Sequence, residues 1–182
     1  LPSLHGDVLL ISRFDRTVRE GKVVRLHQES VASILGLSGF DLRPSLFEVV
    51  AGIRRVVTEP AKETLEFIKR DVLNLAMRNT DNHPRNTAVQ MLDGEIRLTP
   101  LFDFAPMFLD PQVVARTLRW YRPDTRVELT EWADVLAALP VPDDERRTLA
   151  EALSLFALRI ERLPDVMRRQ GVDHDIIEFL LP

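Results

Sequence analysis

The chain has 182 residues, 45% of them hydrophobic, and this length is sufficient for one domain with a substantial core. It contains no cysteine, which excludes thiol chemistry and disulfides, and it shows no signal peptide or apolar run of membrane length, so we expect a cytoplasmic protein. The net charge of −4 gives no overall attraction to nucleic acid, and we predict no direct nucleic-acid contact. The sequence begins at Leu1 without an initiator Met, which predicts a fragment of a longer protein.

The first predicted element is a buried strand. Residues 7–14 form a short, largely continuous apolar run between a glycine and a charged pair, which is typical of a strand inside a sheet. The charged residues at its end, Arg13, Asp15 and Arg16, are expected to form surface ion pairs, with substrate contacts as the alternative. Residues 17–22 are predicted to be a polar turn.

Three helices are predicted before the most polar part of the chain. Residues 28–37 place apolar side chains at helical spacing and end in a glycine cap, and residues 47–57 repeat a helical pattern. Pro60 opens the strongest helix, 60–77, whose broad apolar surface indicates burial. Because this helix ends just before Asp81, its packing would hold the following loop against the core.

A β-hairpin is predicted after this loop. The Asp-Gly pair at 93–94 separates two short runs of β character, 87–92 and 95–99, and glycine tolerates the positive φ of a tight primed turn. A hairpin returns the chain to the place where it started. We therefore expect Asn86, before the first strand, and Asp103, beyond the second, to lie near each other.

Asp81 completes a set of three oxygen-bearing side chains. It lies five positions before Asn86, in a polar segment that proline prevents from continuing the helix. Phosphoryl transfer needs an Asp to orient the attacking hydroxyl, and an Asn and a second Asp to hold magnesium. The protein-kinase signature has the same spacing and ends in Asp-Phe-Gly. Here the final motif is Asp103-Phe104-Ala105, which lacks the glycine.

Each of these residues also has a structural interpretation. Asp81 and Asn79 would suit a turn closed by local hydrogen bonds. The carboxylate of Asp103 stands between two Phe residues, and its burial would cost several kcal/mol unless it were paired or bound to a metal. His83 alone is more typical of a structural hydrogen bond than of a ligand, and Arg85 would be either a solvated charge or a phosphate contact.

The C-terminal part of the chain is predicted to be helical. Residues 130–139 resemble a capped helix, residues 143–163 form a longer one with an acidic first turn, and residues 173–181 form a short closing helix. Trp120 and Tyr121 are expected in the core, with a covered edge or partner contact as the alternative. The arginines of this region are expected on solvated faces, with a basic partner-binding patch as the alternative. The chain is therefore predicted to be one mostly α domain of the α+β class with a small hairpin.

Four stretches of the sequence resemble one family. Residues 79–86 read Asn-Thr-Asp-Asn-His-Pro-Arg-Asn and residues 98–103 read Leu-Thr-Pro-Leu-Phe-Asp, and residues 9–16 and 25–30 precede them in the same order as in the family. Together they are similar to the HipA-like serine/threonine kinases, the toxins of bacterial HipA/HipB toxin–antitoxin pairs. The resemblance implies the large, C-terminal lobe of a protein-kinase-like fold, with ATP and Mg²⁺ as cofactors.

The resemblance also implies roles for individual residues. Residues 7–14 would be the hinge strand, the backbones of Ser12 and Phe14 would contact adenine, and Gln28 would neighbour the nucleotide. The remaining implied site residues are Asp81 and His83 in catalysis, His83 and Arg85 at the phosphates, and Asn86 and Asp103 as magnesium ligands.

The implied partners are a phosphorylated protein, such as an aminoacyl-tRNA synthetase, and a HipB-like DNA-binding antitoxin. The sequence begins at the hinge and lacks the small lobe with its glycine-rich phosphate loop and Lys, so the fragment alone is expected to be inactive. The alternative is a non-catalytic, kinase-like module that binds a partner. A weaker alternative is a metal-dependent hydrolase that uses Asp81, His83 and Asp103 to activate water.

Overall fold

The computed structural model describes residues 3–5, 8–39, 43–111 and 114–180. This part of the chain is mixed α/β, with small antiparallel sheets. The strands are β1 Ser3–His5, β2 Val8–Leu10, β3 Arg16–Arg19, β4 Lys22–Arg25, β5 Gln28–Ser30, β6 Ala88–Leu92 and β7 Glu95–Leu98. The helices are α1 Val31–Ile34, α2 Leu46–Val56, α3 Pro60–Ala76, α4 Trp132–Ala138, α5 Asp143–Glu161, α6 Leu163–Arg169 and α7 His174–Leu180. No helix within the described residues has the length and apolar character needed to cross a bilayer.

The predicted hairpin is confirmed. Strands β6 and β7 pair antiparallel around a turn in which Asp93 has φ 53° and Gly94 has φ 84°. Strand β5 adds to the other edge of β6, with Gln28 opposite Gln90. Gln28 was predicted to begin a helix, and this was wrong, because residues 28–30 pair with β6 and the helix starts only where Ser30 caps it. Helix α1 is accordingly a single short turn.

The N-terminal segment also differs from its prediction. The strand expected over residues 7–14 ends at Leu10, and Asp7 lies outside the described residues. Residues 16–25, expected to contain a polar turn, form the β3–β4 hairpin. Its valines Val18 and Val23 face each other in the register but are exposed, so no buried alternation indicated these strands in the sequence.

Helices α2 and α3 form the centre of the core, and both were predicted. Helix α2 begins with a capping box in which the Ser45 N–H donates to the Glu48 carboxylate at 2.7 Å. Its buried face, with Ile53, packs in the same cluster as Ile68 of α3 and Leu149 of α5. Helix α3 therefore connects this core directly to the loop that follows it.

Helix α3 is less apolar inside than its pattern indicated. It buries Glu63 and Asp71, whereas Leu75 in its last turn is half exposed. Glu63 Oε2 accepts the Leu98 N–H at 2.9 Å, so the helix holds strand β7 through a side chain. The helix ends at Ala76, and the left-handed conformation of Arg78, with φ 48°, redirects the chain into the polar loop.

The C-terminal helices follow the predictions with two corrections. Helix α4 begins at Trp132 without a side-chain cap, so Thr130 does not cap it. The helix predicted over 143–163 is divided at Arg162 into α5 and α6. Pro164 in the first turn of α6 favours a helix start at this point. Trp120 is buried as predicted, edge-on to a Phe ring of α2.

An ion pair between α2 and α5 provides a stability test on this chain. The Arg54 guanidinium donates to both oxygens of Glu145, at 2.5 and 3.1 Å, and to Thr64 Oγ1 at 2.9 Å. Because the pair is bidentate and largely buried, Glu145→Ala is expected to lower the free energy of unfolding in urea by about 1.5–3 kcal/mol. Lys62→Ala, which breaks an exposed ion pair screened by solvent, should cost much less than Glu145→Ala. Equal losses from the two variants would contradict this assignment.

Candidate active site

Hydrogen bonds to α3 hold the first residue of the loop over residues 79–86. The Asn79 N–H donates to the carbonyl oxygen of Asn74 at 2.8 Å, and Asn79 Nδ2 donates to Asn74 Oδ1 at 2.9 Å. Asn79 is buried, and no other described residue makes a hydrogen bond to its Oδ1. Asn79 therefore closes the turn after α3 through local hydrogen bonds, as its structural interpretation predicts.

Asp81 and Asn86 meet across the loop. Asn86 Nδ2 donates to the backbone oxygen of Asp81 at 3.0 Å and approaches Asp81 Oδ2 at 3.4 Å. The Asn86 N–H also donates to the carbonyl oxygen of His83 at 3.0 Å, which closes the loop. Among the described residues no donor binds the amide oxygen of Asn86. The free oxygen is the group that a magnesium ligand needs.

Asp103 lines the same cavity as Asp81 and Asn86. The volume of this cavity is about 30 Å³, enough for an ion or a water molecule but not for a nucleotide. The Asp103 carboxylate and the Asn86 amide oxygen are hard oxygen donors of the type that Mg²⁺ prefers. The residues present therefore fit this ion.

The environment of the Asp103 carboxylate corrects one step of the sequence argument. The side chain was expected to be buried between Phe102 and Phe104, but it is exposed, so no burial penalty requires a partner. Within the described ranges it accepts no hydrogen bond and forms no ion pair. Its φ of 51° is left-handed, a conformation that Asp and Asn adopt more readily than most residues.

His83 lies beside Asp81 but does not line the cavity. Its Nδ1 accepts the Arg85 N–H at 3.2 Å, so the neutral ring carries its proton on Nε2, which is 3.6 Å from Asp81 Oδ1. The described residues include no cluster of three His, Asp or Glu side chains that could hold a metal. The ligand set of the hydrolase alternative, with Asp81, His83 and Asp103, is therefore not assembled.

Arg85 is anchored away from the cavity. Its Nη2 donates to the carbonyl oxygen of Gly39 at 3.1 Å. The side chain is half-buried, and it does not line the cavity. A phosphate contact by Arg85 stays a prediction.

The segment predicted to be the hinge lies next to the Asp103 motif. The ring of Phe14 contacts that of Phe102, with centroids 5.6 Å apart. No hydrogen bond from another described residue reaches the backbone of Ser12 or Phe14, and their adenine contacts stay a prediction. Gln28 is exposed on β5 and does not line the cavity.

The expected ion pairs at the end of this segment are confirmed. Arg13 donates to both oxygens of Asp15, at 2.7 and 2.6 Å, and Arg16 Nη2 donates to the same carboxylate at 3.0 Å. These hydrogen bonds hold the pKa of Asp15 well below its usual range. The single carboxylate of Asp15 thus pairs with both guanidinium groups, as the ion-pair interpretation predicts.

Several cavity-lining residues were not identified from the sequence, among them two that are buried and polar. Asp71 of α3 and Asn82 of the loop both line the cavity and both are buried. Burial raises the pKa of the Asp71 carboxyl, and the nearby Arg116 guanidinium opposes this shift. The signal for Asp71 in the sequence was a carboxylate within an apolar helix pattern. Asn82 gave no such signal, because its hydrogen-bond partners lie far along the chain.

The described residues have a HipA-type fold. They superimpose on the HipA chain of a Shewanella oneidensis MR-1 complex of HipA, HipB and operator DNA, with a TM-score of 0.65 and 21% identity over 96% of this chain. The sequence model of the HipA-like C-terminal domain matches residues 2–162. The chain therefore belongs to the HipA-like C-terminal domain family.

A further relative carries the name of a kinase. The Sinorhizobium fredii (strain NBRC 101917 / NGR234) protein named "Putative kinase Y4mE" is 29% identical to this chain over 101 residues, which is 52% of this chain. The chain spans 24% of that protein's length and 42% of the Shewanella HipA chain. Activity, substrates and partners of a whole HipA-like protein are therefore proposals for this chain.

Proposed function

We propose that this chain is the large lobe of an ATP- and Mg²⁺-dependent serine/threonine protein kinase of the HipA type. The observation that carries the proposal is the meeting of Asp81, Asn86 and Asp103 around one small cavity. Membership of the HipA-like C-terminal domain family supports the same class. The contact of Phe14 with Phe102 supports it further, because it brings the proposed adenine-binding segment beside the proposed metal ligand.

Each residue has a distinct task in this proposal. Asp81 orients the attacking Ser or Thr hydroxyl and accepts its proton, while Asn86 and Asp103 are the residues that would hold magnesium through their side-chain oxygens. Bound magnesium supplies positive charge that offsets the negative charge of the nucleotide phosphates. The Nε2 atom of His83 faces the Asp81 carboxylate at 3.6 Å. Catalytic and phosphate-binding roles for His83 are part of the proposal.

The nucleotide contacts are proposed on the same basis. In this proposal the backbone groups of Ser12 and Phe14 bind adenine. Gln28 neighbours the nucleotide, and Arg85 contacts its phosphates. For partners, we propose a protein substrate such as an aminoacyl-tRNA synthetase. We also propose a HipB-like antitoxin, on the analogy of the Shewanella HipA, which was solved with HipB.

Transfer of label from [γ-³²P]ATP to protein tests the proposal most directly. The protein in its full length is incubated with Mg²⁺ and labelled ATP, and autophosphorylation and transfer to added proteins are both followed. We expect transfer that EDTA abolishes. ATP binding without transfer would favour the partner-binding module, and absence of both binding and transfer would overturn the kinase assignment.

A further inference from the structure

The two residues that flank Asp81 are both tied to one later segment of the chain. Thr80 Oγ1 donates to the carbonyl oxygen of Val114 at 2.5 Å. Asn82 is 8% exposed; its Nδ2 donates to the carbonyl oxygen of Leu118 at 2.9 Å, and its Oδ1 accepts the N–H of Leu118 and of the preceding residue at 3.0 Å each. Asp81 is therefore held between two anchored neighbours.

A buried ion pair fixes this segment in turn. Arg116 Nε donates to the same Leu118 oxygen at 3.0 Å, and Arg116 Nη2 donates to Asp71 Oδ1 at 2.6 Å. Asp71 is 3% exposed, and its second oxygen accepts the Trp120 Nε1 proton at 2.8 Å. Because moving one member of a buried pair leaves the other charge uncompensated, the pair resists displacement. The contacts thus run without a gap from helix α3 to Asn82.

We propose that Asn82 and Arg116 are positioning residues for Asp81, with the buried Asp71 carboxylate as their anchor. This inference rests on the proposed kinase function. The loop has no helix or strand of its own, so side-chain hydrogen bonds add rigidity beyond its few backbone hydrogen bonds. A general base displaced from its productive position loses rate even when its own chemistry is unchanged.

Kinetics of the full-length protein separate positioning from general destabilisation. We expect Asn82→Ala to lower kcat for labelled-phosphate transfer by about 10- to 100-fold, with KM for ATP changed by less than about threefold. Trp120→Phe is the matched control, because it removes a hydrogen bond to the same Asp71 carboxylate but leaves the Arg116 pair and the loop contacts in place. Its kcat should stay near that of the wild type even though its melting temperature falls.

A double-mutant cycle identifies the residue through which Asn82 acts. If Asn82 works only by placing Asp81, Asn82→Ala should have little further effect on the residual rate of Asp81→Asn. Equal factors in the two backgrounds would overturn the inference. Arg116→Lys is a second variant that keeps the charge beside Asp71 but loses the fixed fork that also reaches Leu118, and we expect a smaller loss of kcat of the same kind.

Hydrogen–deuterium exchange gives a readout that does not depend on activity. Asn82→Ala should speed amide exchange in residues 79–86, whereas Trp120→Phe should leave exchange in this loop unchanged. An active wild type together with unchanged loop exchange or unchanged kcat in Asn82→Ala would overturn the positioning role alone. A wild type that neither transfers phosphate nor binds ATP would overturn the positioning role together with the kinase assignment.

Discussion

Asp81→Asn is expected to lower phosphoryl transfer by about 10²- to 10⁴-fold in the full-length protein while leaving the fold intact. Asn cannot accept the hydroxyl proton, so the loss should appear in kcat. The fold should survive because Asn86 donates mainly to the backbone oxygen of Asp81, at 3.0 Å, and only weakly to its carboxylate, at 3.4 Å. Labelled-phosphate transfer and circular dichroism measure the two expectations.

The hairpin supplies a matched control for this substitution. Asp93 has a φ of 53°, which Asn also tolerates, and its side chain is exposed at the turn between β6 and β7. Asp93→Asn makes the same chemical change a short way along the chain and should leave transfer unchanged. A normal rate for Asp81→Asn, or an equal loss in both variants, would exclude Asp81 as the catalytic base.

Asp103→Ala is expected to abolish magnesium-dependent nucleotide binding. Residues that only hydrogen-bond to a metal ligand already contribute about 10- to 100-fold to metal affinity. Loss of a direct ligand should therefore weaken Mg-nucleotide binding by at least about 100-fold. Asp103→Asn is the more specific test. Asn tolerates the φ of 51°, so this substitution changes the charge without straining the backbone. Titration of a fluorescent ATP analogue with and without Mg²⁺ measures the effect.

Asp144→Asn provides the comparison for Asp103. Asp144 is an exposed carboxylate in the first turn of α5, on a different element from the proposed site. Its replacement should leave nucleotide binding at the wild-type level with and without the metal. If magnesium raises the nucleotide affinity of Asp103→Asn as much as that of the wild type, Asp103 is not a metal ligand. The proposed site then loses a necessary member.

Local signals in the sequence were sufficient for the elements that carry the site. The Asp-Gly pair at 93–94 predicts the β6–β7 hairpin, and the start and spacing of residues 60–77 predict α3, because both depend on contacts within a few residues. The hairpin also predicts that Asn86 and Asp103 approach each other, and the structure has both on one cavity. Their roles as magnesium ligands stay predictions.

Contacts between distant residues account for the errors and omissions. Residues 28–30 look helical in sequence but pair with β6, which provides backbone partners that local periodicity cannot reveal. The exposed β3–β4 hairpin has no buried face and hence no recognisable pattern. Asn82 and Arg116 were missed for the same reason, since their partners are 36 and 45 residues away.

The partners of Thr80 and Asn82 all follow them in the chain, and this order matters during translation. The ribosome releases residues 79–86 well before residues 114–118, so a nascent chain that ends between them has the complete loop sequence but lacks the side-chain hydrogen bonds of Thr80 and Asn82. The contacts on both sides of Asp81 form only after Leu118 has emerged. Premature termination in this interval would yield a product that carries the motif without its geometry.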